Sequence, residues 1–296
     1  KKYKRNVFMK LLFIGPTRIG DSILSTSILN YYLENNKEFK FTIITSSYSK
    51  DLFEKLPNLE KIIVIDKRNY GFHWYKIWAS VVFKKWDLVI DMRSSAISYF
   101  LNKKMKMIFK GNHIEHKVIQ FQKFLKTQKN INPKIWYDKE DQIISEEKIN
   151  LPGPFIALSP FSNWYKKDWS IKKYIELFHH DFFKKYTLII SGITSEKTDD
   201  DDFNRLLNHP NIKVLNLLDT GLRQMIPIFE NCEFFVGSDS GLMHLAATTK
   251  CKTFALFGPT NEIVYRPWGN HKIIKSYDTI KAVSYTHLRA HETDRY

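Results

Sequence analysis

Short runs of consecutive apolar residues alternate along this chain with longer stretches in which apolar positions recur every three or four residues. Leu11 to Ile14, Phe41 to Thr45, Ile62 to Ile65 and Leu88 to Ile90 are uniformly apolar and of strand length, and read as parallel strands buried on both faces. The segment after the first run carries Ile23, Leu24, Ile28, Leu29 and Tyr32 at helical spacing. The rhythm resumes after Pro152 with Phe155 to Leu158, Leu188 to Ile190, Val214 to Leu217, Phe234 to Val236 and Thr253 to Phe257. Strands alternating with helical segments imply a doubly wound α/β unit, and two such series imply two Rossmann-like domains. Between them, 126–154 is polar, weakly periodic and punctuated by Pro133, Pro152, Gly153 and Pro154, a linker composition with room for one short helix. The division is expected near residue 150, giving domains over 9–150 and 151–282.

Length agrees, since 296 residues suit two domains of about 150 each. With 43% hydrophobic and 15% aromatic residues the chain can build substantial cores, which excludes a disordered protein. Cys232 and Cys251 offer neither a disulfide framework nor metal-ligand spacing, so a reducing compartment, the cytoplasm, is expected. No run approaches the ~18 consecutive apolar residues of a membrane span. Met9 reads as a natural start, and 283–296 reads as a foreign tail, so His287 and His291 are set aside and the second domain is expected to be cut short. The four acids Asp199 to Asp202 diverge in direction and read as a solvated loop or a helix's first turn rather than a metal site, so no metal is expected.

The net charge of +15 sits almost wholly in the first half: residues 1–150 carry 28 Lys/Arg against 15 Asp/Glu, residues 151–296 carry 18 against 16. An anionic partner of the first half, nucleic acid or an anionic lipid surface, would account for it. So would a plain solvated face made of Lys103, Lys104, Lys106, Lys110, Lys117, Lys123, Lys126 and Lys129.

Three loops carry candidate chemistry. The first, Gly15 to Ser22, joins the first strand to the first helix at a strand's carboxyl end, where open α/β sheets bind ligands. Its glycines fit neither a dinucleotide fingerprint nor a P-loop. Asp21 stands where the helix should begin, and its spacing alone favours a helix cap over a catalytic base. The second loop, Ser159 to Trp169, brings Lys167 to a strand exit, where a cation could neutralise a departing diphosphate or lie on the surface beside an aromatic. Trp169 reads as core packing. The third, Ser238 to Ala247, is a small polar turn opening a helix, and the amides of Ser240, Gly241 and Leu242 could cradle an anion there. Asp239 would repel a phosphate, so it is expected to orient the turn, bind a sugar hydroxyl or meet a cation, while His244 could reach the same phosphate. With the tight loop Phe257 to Glu262, three loops of the second half could converge on one nucleotide-type ligand.

Asp239-Ser240-Gly241-Leu242-Met243-His244-Leu245-Ala246 together with Phe257-Gly258-Pro259-Thr260 resembles the signatures of the bacterial lipopolysaccharide heptosyltransferases of glycosyltransferase family 9, and Gly20-Asp21 and Lys167-Asp168-Trp169 are similar to two further motifs of that family. The resemblance spans about 9–269; Pro16 and Thr17 fall where the family varies. It implies a GT-B fold, two facing domains with a cleft between them. It further implies an inverting transfer of heptose, or a related sugar, from an ADP-activated donor to a lipopolysaccharide core acceptor, with Asp21 as base and Lys167 stabilising the leaving diphosphate. Thr17, Arg18 and Gly20 would meet the acceptor. Ser159, Ser162, Asp239, Ser240, Gly241, Leu242, His244, Gly258, Pro259 and Thr260 would hold the donor. No cofactor is implied. The basic first half would then be drawn to anionic lipid A and inner-core groups, placing the protein peripherally on the cytoplasmic face of the bacterial inner membrane, with no nucleic-acid partner. Transfer from another nucleotide sugar is the alternative, followed by a dinucleotide-dependent nucleotide-sugar-modifying enzyme, which the missing glycine fingerprint disfavours.

Overall fold

The computed structural model describes residues 8–35, 38–65 and 72–275, leaving aside the side chains of 72–74; the tail at 283–296, the domain end at 282 and the segment before Phe8 lie outside it. Strands β1 (Met9–Ile14), β2 (Phe39–Ser46), β3 (Leu59–Ile65), β4 (Trp86–Asp91) and β5 (Lys103–Ile108) form one parallel sheet in the order β3-β2-β1-β4-β5. Strands β6 (Phe155–Ser159), β7 (Thr187–Ile190), β8 (Lys213–Asn216), β9 (Cys232–Ser238), β10 (Lys252–Phe257) and β11 (His271–Lys275) form a second, in the order β11-β10-β9-β6-β7-β8. The connecting helices are α1 (Ile19–Asn35), α2 (Phe72–Val81), α3 (Lys117–Phe124), α4 (Lys139–Lys148), α5 (Ile171–Phe178), α6 (Asp201–Leu207), α7 (Met225–Glu230), α8 (Gly241–Ala246) and α9 (Glu262–Tyr265).

Nine strands fall where apolar runs were expected. β5 and β11 do not, and both are sheet edges. Lys103, Lys104 and Lys106 are therefore not simply a solvated face: they alternate with Met105 and Met107 along an edge strand, where lysines blunt unwanted pairing. The acidic run starts a helix, Asp200 capping α6 by accepting from the Asp202 amide at 2.7 Å. In the linker 126–154, Ile131, Ile135 and Trp136 are buried, and its one helix, α4, opens with a capping box of Asp138 and Asp141.

Alternate residues of β1 separate two cores. Leu12 and Ile14 pack with Ile77 and Val81 of α2 and with Ile97 and Leu101, whereas Leu11 and Phe13 join a core that continues through α1 into Met243, Leu245 and Phe257 of the second sheet's layer. Apolar burial thus runs across the domain boundary. Polar contacts reinforce it. The Asn261 side chain donates to His113 O at 3.1 Å, and the Trp268 indole donates to Asn132 Oδ1 at 2.9 Å. His116 accepts the Val118 amide at Nδ1, so Nε2 carries the proton and donates to Arg266 O at 2.8 Å. The buried guanidinium of Arg223 reaches Asp51 at 2.8 Å, Glu54 at 3.2 Å and Asp141 at 3.4 Å.

Candidate active site

In both sheets strand order reverses beside the first strand of the series: between β1 and β4, and between β6 and β9. Ligands of open α/β sheets bind at such switch points, outside the carboxyl ends of the strands. The loop after β1 is pinned there, since Ser46 Oγ donates to Thr17 O at 2.8 Å and Ser22 Oγ to Pro16 O at 3.1 Å. Helix α1 is buried on nearly all sides despite Ser22, Ser25, Thr26 and Ser27. Ser25, Thr26 and Ser27 bond back to the carbonyls three residues earlier at 2.6–2.8 Å, which satisfies them internally and leaves a slim helix that α3 and α8 can approach.

The expectation that Asp21 caps this helix is corrected. The helix begins at Ile19, with the Ser22 amide bonded to Arg18 O, so Asp21 lies inside the first turn and its carboxylate caps no amide among the described residues. Its electrostatic neighbours are Lys117 and His244 instead. The two domains touch backbone to side chain here: a Cβ on Gly20 would lie 2.9 Å from His244 Cδ2, and a Cβ on Gly241 would lie 2.7 Å from Ile19 Cγ2. Only glycine at both positions lets the start of α1 touch the start of α8.

On the second sheet, β10, β9 and β6 are neighbours, so the loops after them do converge. Lys167 Nζ reaches Asp239 Oδ2 at 3.0 Å, so of the three roles open to this acid the structure shows it meeting a cation. Asp239 Oδ1 lies 4.0 Å from His244 Nε2. His244 is buried, and burial, aided by Lys167, lowers its pKa below the ordinary imidazole value against the pull of Asp239 and Asp21; it is a neutral ring at neutral pH. Ser240 caps α8, accepting the Met243 amide at 3.4 Å, and the amides of Gly241 and Leu242 open the helix. Gly258, Pro259 and Thr260 follow β10 directly, and a Cβ on Gly258 would lie 3.3 Å from Lys166 O, so the β6 and β10 loops are in contact. Ser159 Oγ, His244 Nδ1 and Thr260 Oγ1 are buried with no hydrogen-bond partner among the described residues.

Ser162 is used differently from the donor contact expected of it. Its hydroxyl and amide both bond Asp168 Oδ1 at 2.7 Å, and Lys197 grips Asp168 Oδ2 at 2.6 Å and Ser162 O at 2.9 Å. This network shapes the loop that carries Lys167. Trp169 packs edge-on against Tyr174, as core. Arg18 and Thr17 line the opposite rim, Arg18 exposed.

Lys117 was counted among the solvated lysines; it is half-buried. Its ammonium lies 5.6 Å from the Phe109 ring and 5.7 Å from the ring of Tyr265 in the second domain. Burial lowers its pKa, with Asp21 pulling the other way. A lysine as first residue of a helix, against the dipole, is the one sequence signal that could have marked it.

Comparison with known proteins decides the family. The sequence model of glycosyltransferase family 9 (heptosyltransferase) matches residues 74–289. The chain belongs to glycosyltransferase family 9. It is similar to the lipooligosaccharide heptosyltransferase 2 of Campylobacter jejuni, 28% identical over 279 residues that cover 88% of this chain and 85% of that protein. Among solved structures it superposes on a family 9 glycosyl transferase from Veillonella parvula with a TM-score of 0.79 at 15% identity, covering 98% and 90% of the two chains. It also superposes on the E. coli heptosyltransferase WaaC with ADP-2-deoxy-2-fluoro heptose, with a TM-score of 0.66 at 17% identity, covering 97% and 100%. The fold of this family 9 enzyme is the two-domain GT-B arrangement that the sequence resemblance implied.

Proposed function

We propose that this glycosyltransferase moves a heptose from ADP-heptose to a lipopolysaccharide core acceptor, with inversion at the anomeric carbon. The observation that carries the reading is the meeting, across one contact between α1 and α8, of a carboxylate free of capping duty with a Lys167–Asp239–His244 cluster. The printed names of similar proteins, a lipooligosaccharide heptosyltransferase and a heptosyltransferase holding an ADP-heptose analogue, support the choice of sugar and nucleotide.

In this reading the donor diphosphate lies at the amides of Ser240, Gly241 and Leu242, with Ser159, His244, Gly258, Pro259 and Thr260 around it and Thr17, Arg18 and Gly20 facing the acceptor. Asp21 takes the proton of the acceptor hydroxyl, whose oxygen attacks the anomeric carbon as the bond to the diphosphate breaks. Lys167, held ready by Asp239, neutralises the charge that accumulates on the leaving diphosphate, and His244 donates to it as a neutral ring. Residues 9–150 form the acceptor side and 151–282 the donor side. A lipid-anchored acceptor gives the basic first half its partner and sets the enzyme peripherally at the cytoplasmic face of the inner membrane; no helix among the described residues is long and apolar enough to cross a membrane.

Asp21→Asn tests the base. Turnover with ADP-heptose should fall about 10²- to 10⁴-fold while the affinity for ADP stays as in the wild type. Turnover at the wild-type rate would remove Asp21 from the mechanism. A thermal-shift panel of ADP-, UDP-, GDP- and CMP-sugars tests the donor, because the ligand that binds tightest stabilises most.

A further inference from the structure

The face of the first sheet turned away from α1 carries a surface that transfer chemistry does not use. Helix α2 and the 3-10 turn Ala96–Tyr99 cover that face, and their inward residues Ile77, Val81, Ile97 and Leu101 close the core beneath. Outward, Tyr75, Trp78, Ala96 and Phe100 line a shallow apolar cup whose floor is Ile97. Phe100 is 70% exposed, Tyr75 67%, and Phe83, at the end of α2, 90%. Soluble monomers rarely leave large apolar side chains clustered in water in this way.

The stretch that carries these rings is rich in cations. From 72 to 110 the chain has eight Lys/Arg and two acids. One acid, Asp91, is buried and bonded to the amides of Arg93 and Ser95, so it offers no surface charge. The other, Asp87, pairs with Lys104. Lys106 sits 3.4 Å over the Tyr99 ring, Lys103 donates to Tyr99 O and Leu101 O, and Lys76 and Lys85, one and two residues along the chain from Tyr75 and Phe83, are exposed.

We propose that this face docks on an anionic phospholipid bilayer, with the aromatic rings at the level of the lipid glycerol region and the lysines on the phosphates. Aromatic side chains prefer that depth, and lysines are attracted to the negative leaflet. A second copy of the chain is the poorer occupant, because its own lysine rim would face this one and repel. The inference builds on the lipid-anchored acceptor of the proposed reaction. The binding assay, however, contains neither donor nor acceptor, so its failure leaves the transfer reading to stand or fall with Asp21→Asn.

The test is co-sedimentation of the full chain with phosphatidylcholine vesicles, alone or mixed with phosphatidylglycerol, at low and high salt. The wild type should bind the mixed vesicles and release in salt. Phe83→Ser and Phe100→Ser should each weaken binding about tenfold. Lys76→Gln and Lys85→Gln should each weaken it about fivefold. All four should turn over a delipidated, soluble acceptor at the wild-type rate. Phe83, exposed as it is, makes little contact whose loss could unfold the chain. Equal binding to both kinds of vesicle, binding unchanged in the variants, or a wild-type dimer that Phe100→Ser dissolves would each overturn the proposal.

Discussion

Replacing Gly241 by alanine places one methyl group where the two domains meet. That Cβ would lie 2.7 Å from Ile19 Cγ2 and 3.0 Å from Ile19 Cβ. Carbon atoms rest at about 3.5–4.0 Å, so the first turn of α1 and that of α8 must separate by roughly 1 Å. Ile19 cannot turn aside cheaply, because a β-branched side chain in a helix has one strongly preferred rotamer. Asp21 lies two residues beyond Ile19 and moves with it. A displacement of about 1 Å at a reacting group costs on the order of 10²-fold in kcat/KM. Folding is affected far less: alanine is favoured over glycine in a helix by about 0.5–1 kcal/mol, which offsets part of the ~1–3 kcal/mol of overpacking. Steady-state transfer from ADP-heptose, measured beside a thermal melt, should show activity collapsing while the melting temperature moves little. The double variant Ile19→Ala/Gly241→Ala, which removes both atoms of the clash, should recover most of the rate. Wild-type kcat/KM in Gly241→Ala, with a native melt, would refute the claim that this contact positions the base.

Arg223→Met strips the guanidinium from Asp51, Glu54 and the buried Asp141, and should cost about 3 kcal/mol in urea unfolding, part of which a second change, Asp141→Asn, returns; an unchanged midpoint would mean the interdomain cluster contributes nothing. Burial pushes the His116 pKa down to about 4. The unfolded chain takes up that proton near pH 6.5 and the folded chain only near 4, so the stability from the neutral, stacked ring is complete above about pH 6.5 and is lost as pH falls toward 4. The stability difference between wild type and His116→Gln should accordingly shrink by up to about 3 kcal/mol across that window, and a difference flat with pH would contradict the burial argument.

How much of this was legible in the sequence follows from what each feature depends on. The seven interior strands are buried on both faces, so their apolar runs announce them regardless of what packs above, and the edge strands β3 and β8 were announced by the apolar runs Ile62 to Ile65 and Val214 to Leu217. The edge strands β5 and β11 face solvent, and their lysines and histidine concealed them. The turn from Ser238 to Ala247 and the Lys167 loop were legible because their pattern is local: a strand end, small residues and the start of a helix within a dozen positions. Asp21 was not. Counting positions suggested a cap, and only the observed start of α1 at Ile19 freed its carboxylate. Lys117 looked like one surface lysine among eight; the rings that bury it, Phe109 and Tyr265, come from different domains, and no spacing along the chain encodes that meeting. The sequence by itself determined two doubly wound sheets, the loops that carry the candidate site and the family, because these rest on local patterning. The tertiary structure decided which carboxylate stands free, which lysine is buried, and that two glycines 221 residues apart in the chain bring α1 against α8, because each is a distance between segments that the backbone joins only through the whole fold.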